Sequence, residues 1–216
     1  MTQRDTPKFT GISTYRDLLG RFSIRYPTDW NTFEIREGVP ARRGKLRKAR
    51  VANSKRLATE ANPLPVREGI GFSPDPEDTH TAFTMWVSPL AEAVVAEDFA
   101  ELKQGVDAGL EALEDCQVES ADDDILSNLI KFERIYTFRE GGETRKRKQW
   151  LLYVDTWLMC LTWQGSSPET YSYWLAMANQ SFLTFELPHG LWFAVDRELA
   201  AVRAGAGAGS EGMSAE

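Results

Sequence analysis

The sequence predicts an α+β fold, a three-layer α/β/α sandwich with a mostly antiparallel central sheet and helices on both faces. Three observations predict it. Apolar residues recur with a period of two in short runs separated by Gly-, Pro- or acid-rich turns, the pattern of antiparallel strands. Two segments, near 97–114 and 167–178, carry apolar residues at spacings of three and four, the pattern of amphipathic helices. The run from Trp150 to Leu161 is apolar at both odd and even positions, which requires cover on both faces of the sheet.

The elements follow in order. Leu19-Gly20 reads as a turn before a strand in which Phe22, Ile24 and Tyr26 point inward and Arg21, Ser23 and Arg25 outward. After the Pro27-x-x-Trp30 corner, Thr32–Arg36 resumes with Phe33 and Ile35 inward. Residues 38–66 have few apolar anchors and are expected to form a basic, mobile insertion. Glu68–Ser73 and Thr81–Ser88 read as two strands of a hairpin closed by PDPEDTH. Glu97–Glu114 reads as a helix, with Phe99, Leu102, Val106, Leu110 and Leu113 in one stripe. Gly105 and Gly109 lie one turn apart in it, and each costs about 1 kcal/mol against Ala. Close approach to the sheet is the expected compensation.

Gln117–Ser120 reads as a short strand before an acidic turn, ADDD. Leu129–Glu140 and Arg145–Val154 form a hairpin about Gly141-Gly142, whose glycines supply positive φ. Asp155 marks another turn and Thr156–Gln164 the next strand. Ser167, Pro168 and Glu169 start a helix as cap, first residue and dipole partner, and Tyr171, Trp174, Leu175 and Ala178 form its stripe. Ser181–Leu187 alternates and is read as a last strand. The expected organisation is therefore an N-terminal extension (1–8), one domain (9–187), an appended helix (188–203) and a disordered tail (204–216).

Composition narrows the function. The 216 residues are 42% hydrophobic and 26% charged, values of a globular domain able to bury a sizeable core. A net charge of −7 argues against general affinity for nucleic acid. The polar N-terminus lacks a signal-peptide pattern, and the most apolar run, Trp150–Trp163, is too short to span a bilayer; a cytoplasmic protein is expected. Cys116 and Cys160 have no Cys-x-x-Cys or nearby His and read as two buried thiols.

Asp17-x-x-Gly20-x-Phe22-Ser-Ile-x-Tyr26-Pro27-x-x-Trp30, the central helix, the long hairpin, Tyr171 and Ser181-Phe182 together resemble the PsbP family. That fold is shared by the yeast Ran-binding import factor and by bacterial DcrB-like proteins. The resemblance runs from about Phe9 to Leu187 and implies an α/β/α sandwich and a mostly non-catalytic role. Its members support photosystem II, bind a GTPase or act as adaptor chaperones. It assigns no site residue, because the matching residues are structural.

The residues add their own expectations. His80 and His189 lie in loops and in no catalytic motif; they mark the alternative of an enzyme whose site is assembled by folding. Asp75, Glu77 and Asp78, and Asp122–Asp124, lack the alternation and Gly of a Ca²⁺ loop, so no metal and no cofactor are expected. Trp150, Trp157, Trp163 and Trp174 read as core; a ligand groove for a small-molecule or metal carrier is the alternative. The cluster Arg145–Lys148 reads as an exposed hairpin end with two side chains on each face.

The sharpest anomaly is 42–56. Arg42, Arg43, Lys45, Arg47, Lys48, Arg50, Lys55 and Arg56 are eight cations with no acid among them. Such a block is typical of an interaction arm. Without aromatic residues it is unsuited to stacking on single-stranded bases, and anionic protein surfaces, RNA or lipid headgroups remain as its targets. The sequence therefore points to a non-enzymatic protein-binding or adaptor protein, docking a partner with an acidic surface through a sheet face or through these eight residues.

Overall fold

The structure, a computed structural model, describes residues 7–36, 39–40 and 67–195. The eight basic residues of 42–56, most of the N-terminal extension and the tail after 195 lie outside the described residues.

The chain begins with a hairpin, β1 (Ile12–Arg16) and β2 (Ser23–Pro27), which forms a separate two-stranded sheet. The sequence reading missed β1. The Asp17 carboxylate closes this hairpin. It accepts the backbone N–H of Leu19 and Arg21 and a bidentate pair from the Arg21 guanidinium. Burial pushes the Asp17 carboxyl up, but the Arg21 and Leu19 donors outweigh it and hold it below the usual carboxylate value. Gly20 takes φ 69, the left-handed conformation its turn requires.

A mostly antiparallel sheet follows. Its strands are β3 (Asn31–Arg36), β4 (Val39–Pro40), β5 (Glu68–Ser73), β6 (Ala82–Pro89), β7 (Gln117–Leu126), β8 (Leu129–Glu140), β9 (Glu143–Val154) and β10 (Trp157–Gly165). Their spatial order is β4-β3-β5-β6-β10-β9-β8-β7, every neighbour antiparallel. Three helices join it: α1 (Phe99–Glu111), α2 (Pro168–Leu183) and α3 (His189–Val195). The Ser167 side chain caps α2 by accepting the Thr170 N–H, with Pro168 in the first turn.

Side chains alternate along the strands into distinct clusters. Leu152 and Val154 of β9, with Met159, Leu161 and Trp163 of β10 and Phe83, Met85 and Val87 of β6, join Tyr171, Ala178 and Phe182 of α2 and the β2 residues Ile24 and Tyr26. Trp30 plugs this core, stacked on Trp163 at 5.6 Å and edge-on to Trp174 at 6.2 Å. The alternate positions Leu151 and Tyr153 go instead with Ile130 and Phe132 of β8 to Phe99, Leu102 and Val106 of α1. Leu110 of α1 covers Tyr136 and Phe138. The expected stripes of both helices thus find their sheet partners.

Four expectations are corrected. The ADDD segment is not a turn. It lies within the ten-residue β7, and the turn falls at Ser127-Asn128. Cations from neighbouring elements stabilise the acids there: Asp123 takes Arg134 and Lys103, and Asp122 and Asp124 take Lys131. Burial pushes Asp123 up, but the Arg134 and Lys103 hydrogen bonds win and lower it. Second, Ser181–Leu183 continues α2, and only Glu186 bridges to Ser23. Phe182 reaches the sheet from the helix, edge-on to Phe83 at 4.9 Å, so its alternation mimicked a strand. Third, a Cβ at Gly105 or Gly109 would meet nothing within 4 Å, so close packing does not explain either glycine. Fourth, Arg145–Lys148 is not an exposed end. Arg145 is buried and donates from Nη1 to the Ser166 carbonyl, and Lys146 and Lys148 lie over the rings of Tyr171 and Phe182.

Candidate functional site

The pairing registers define one face of the sheet that the described helices cover only on its β8 and β9 side; its other strand positions are buried or half-buried, and none is fully exposed. It consists of the positions in register with Leu151 and Tyr153. They are Arg147 and Gln149 of β9, Cys160, Thr162 and Gln164 of β10, Ala82, Thr84 and Trp86 of β6, Gly69 and Gly71 of β5, and Phe33 and Ile35 of β3. Among the described residues, α1 packs only on the β8 and β9 side of this face.

Glycine shapes its centre. A Cβ at Gly71 would run into the Phe33 ring, and one at Gly69 into the Met85 carbonyl and the Trp86 backbone. The absence of side chains on this side of β5 lets Phe33 lie across the strand and lets Trp86 close over it. Arg67, just before β5, places its guanidinium over the Trp86 ring at 4.7 Å.

A polar chain runs beside the aromatic residues. Arg147 donates from Nη1 to the Tyr136 hydroxyl at 3.2 Å and from its other nitrogens to Gln164 Oε1. Tyr136 donates to Gln149 Oε1 at 3.4 Å, and Gln149 Nε2 donates to Cys160 Sγ at 3.3 Å. Gln164 Nε2 donates to the His80 carbonyl. These bonds fix Arg147 and Gln149 along the border between the part under α1 and the rest of the face. Burial pushes the Cys160 thiol up and keeps it protonated, so it serves as a small packed group rather than a nucleophile. Burial likewise pushes the Tyr136 hydroxyl up.

Arg67 and Arg147 stand on this face, and none of the strand positions named carries a carboxylate, in a chain with 32 acidic residues. The surface is aromatic, amide- and hydroxyl-bearing, and positive. It is suited to non-covalent docking of an anionic surface.

The residues singled out in the sequence are scattered relative to this face. His80 is exposed, 3.7 Å from the Glu140 carboxylate, and His189 begins α3; the two are not brought together. Asp78 is spent on its own loop, accepting from Thr81 and the His80 N–H. Among the described residues, no group of three or more His, Cys, Asp and Glu stands where it could hold a metal. Trp163 is fully buried and Trp150, Trp157 and Trp174 pack against the same core, as the core reading expects. Trp150 also lines a crevice of about 440 Å³ with Leu152, Phe185, Leu187 and Trp192. Cys116 is half-buried and Cys160 buried, both as free thiols. Among the described residues, no helix is long and apolar enough to cross a membrane. The sequence reading missed this face itself. Its signal was the Gly-x-Gly of β5 set against Phe33 and Trp86 in adjacent strands.

The fold defines a protein built on one large antiparallel sheet with a hairpin and helices packed on it. Solved structures similar to it include the cyanobacterial PsbP (CyanoP) of Synechocystis sp. PCC 6803, at 10% identity and TM-score 0.49 over 86% of this chain and 99% of that one. A Bacteroides thetaiotaomicron VPI-5482 protein is similar at 14% identity and TM-score 0.46 over 81% of this chain and 48% of that one. Pseudomonas aeruginosa PA94, described as a protein of unknown function and putative regulator, is similar at 10% identity and TM-score 0.44 over 82% and 97%. A PsbP protein is thus among the structural neighbours, as in the sequence resemblance. No family model matches the sequence, and no curated protein matches it either.

Proposed function

We propose that the protein is a non-catalytic docking or adaptor protein of three-layer α/β/α build, and that it binds an acidic protein surface through this sheet face. The observation that carries this is the Phe33–Trp86–Arg67 surface over the Gly69 and Gly71 gap, free of carboxylates in an acidic protein. Aromatic and Arg side chains are the residue types that anchor protein interfaces. The eight cations of 42–56 lie in the sequence between β4 and β5, and we propose that they add steering of an acidic partner. We place the protein in the cytoplasm. The domain is read as 9–187, with the segment after it as an appendage.

The test is site-specific photo-crosslinking in native lysate from Thr84 on the face and, as a control, from Ser172, exposed on α2. A discrete adduct from position 84 alone, lost in Arg67→Glu and in high salt, supports the reading. Equal labelling from both positions, or an adduct indifferent to Arg67→Glu, overturns it. The crevice beside Trp150 and Trp192 favours a second reading, a carrier of a small apolar ligand. That reading requires a ligand-induced change in tryptophan emission that Trp192→Ala abolishes.

A further inference from the structure

The sheet ends in a second surface with different chemistry. β7 is the terminal strand, ten residues long, and all of it but Asp123 is exposed. A long exposed edge offers a row of unpaired backbone N–H and C=O groups, and proteins commonly block such edges with Lys or Pro. β7 contains neither; its register shift, at Val118/Ser120, lies outside the regularly paired stretch 121–126. It carries three exposed apolar side chains, Val118, Ile125 and Leu126.

The register shows which groups face outward. Leu126 and Leu129 flank the two-residue turn Ser127-Asn128, so they form a hydrogen-bonded pair. By alternation Asp124 and Asp122 also turn their backbone groups into β8, and Ile125, Asp123 and Ala121 turn theirs to the free edge. The side chains of Asp122 and Asp124 stay well exposed despite their contact with Lys131. A second copy of β7 laid antiparallel on the first would set these acids against each other, which disfavours self-pairing. A strand with alternating basic side chains would meet them favourably while apolar residues between met Ile125.

We propose that β7 accepts an extended, basic segment of a partner protein as an added strand of the sheet. Main-chain hydrogen bonds from the Ala121, Asp123 and Ile125 edge supply affinity; Asp122 and Asp124 select for cations. This edge lies across the sheet from β4, so it is independent of the docking face.

The test uses the full chain, ¹⁵N-labelled, and a synthetic nonapeptide of alternating Lys and Val, with a Glu-for-Lys version as control. Saturating basic peptide should slow hydrogen exchange at the outward amides of Ala121, Asp123 and Ile125 at least tenfold, and the acidic version should not. Ala121→Pro removes an outward N–H without touching the β8 ladder, so it should abolish the protection while β8–β9 amides stay protected. If that variant does not fold, Asp122→Asn with Asp124→Asn should weaken binding at least tenfold at low salt. The proposal is overturned if the three amides do not respond, or if both peptides protect them equally. It is also overturned if the folded Pro variant still protects the remaining outward amides, or if the free protein protects them with increasing concentration, which would mean self-pairing.

Discussion

Gly69 and Gly71 stand two residues apart on one strand and face the same side, yet the structure makes opposite demands on them. At Gly71 an added Cβ meets the far end of the Phe33 ring, which can swing away. At Gly69 it meets the Met85 carbonyl and the Trp86 Cα, and backbone has to move. Gly→Ala lowers the entropy of the unfolded chain and by itself stabilises by about 0.4–1 kcal/mol. Lifting a half-buried ring off the sheet costs on the order of 1 kcal/mol, part of the 1.5–3 kcal/mol of a fully buried one. Gly71→Ala should therefore lie within about 1 kcal/mol of wild type. Gly69→Ala carries an overpacking cost of about 1–3 kcal/mol or more, since strands have to separate. For a chain of this size a kcal/mol is worth about 2–4 °C. The entropy gain is common to both, so urea melts and thermal scans of the two variants should separate by about 1 kcal/mol and about 2–4 °C. If Gly69→Ala is as stable as Gly71→Ala, with unchanged m-value, the close approach at the centre of the face is wrong.

Trp30→Ala should cost about 3 kcal/mol in a urea melt. Large aromatic truncations cost about 3–5 kcal/mol, partly offset because Trp30 Nε1 is buried without a partner among the described residues; a loss below about 1 kcal/mol would contradict its place in the core. Asp17→Asn should flatten the acid limb of the stability curve. The folded Asp17 carboxyl lies below its unfolded value, so its contribution is complete above about pH 4 and is lost as pH falls through the lower folded value. Parallel acid limbs for variant and wild type would refute this. Under native conditions Cys160 should resist alkylation until the protein unfolds, because it is buried and its thiol is held protonated. Half-buried Cys116 should react first in a timed iodoacetamide assay, and modification of Cys160 at the same rate would show that the polar chain around it opens freely.

Much of the fold was legible because local chemistry and global packing agree. The hairpins at 68–89 and 129–165 carry alternating or doubly apolar runs and turn residues suited to them, and Ser167-Pro168-Glu169 announces α2. The misreadings arose where partners distant in sequence decide. Asp122–Asp124 look like a turn until Lys131, Lys103 and Arg134 are placed beside them. Ser181–Leu187 alternates in sequence as a strand would, but Ser181–Leu183 is the end of α2, where the adjacent residues Ser181 and Phe182 are both buried and Leu183 is exposed. The Arg145–Lys148 run looked solvated because the rings and carbonyls that receive it lie on other elements. The candidate face was not legible, since it is formed by five strands whose register no local pattern states. The eight cations of 42–56 were legible as chemistry, and their role stands as a proposal.

The central claim is that an acidic partner docks on the sheet face of Phe33, Trp86 and Arg67, and a titration of the ¹⁵N-labelled full chain with a synthetic acidic peptide of alternating Glu and Phe tests it most directly. The account predicts saturable shifts of the Trp86 indole N–H and of the Arg67, Thr84 and Gln164 amides, suppressed by Arg67→Glu and by salt. Shifts confined to α2 or β7, or none at the Trp86 indole at saturating peptide, would contradict it.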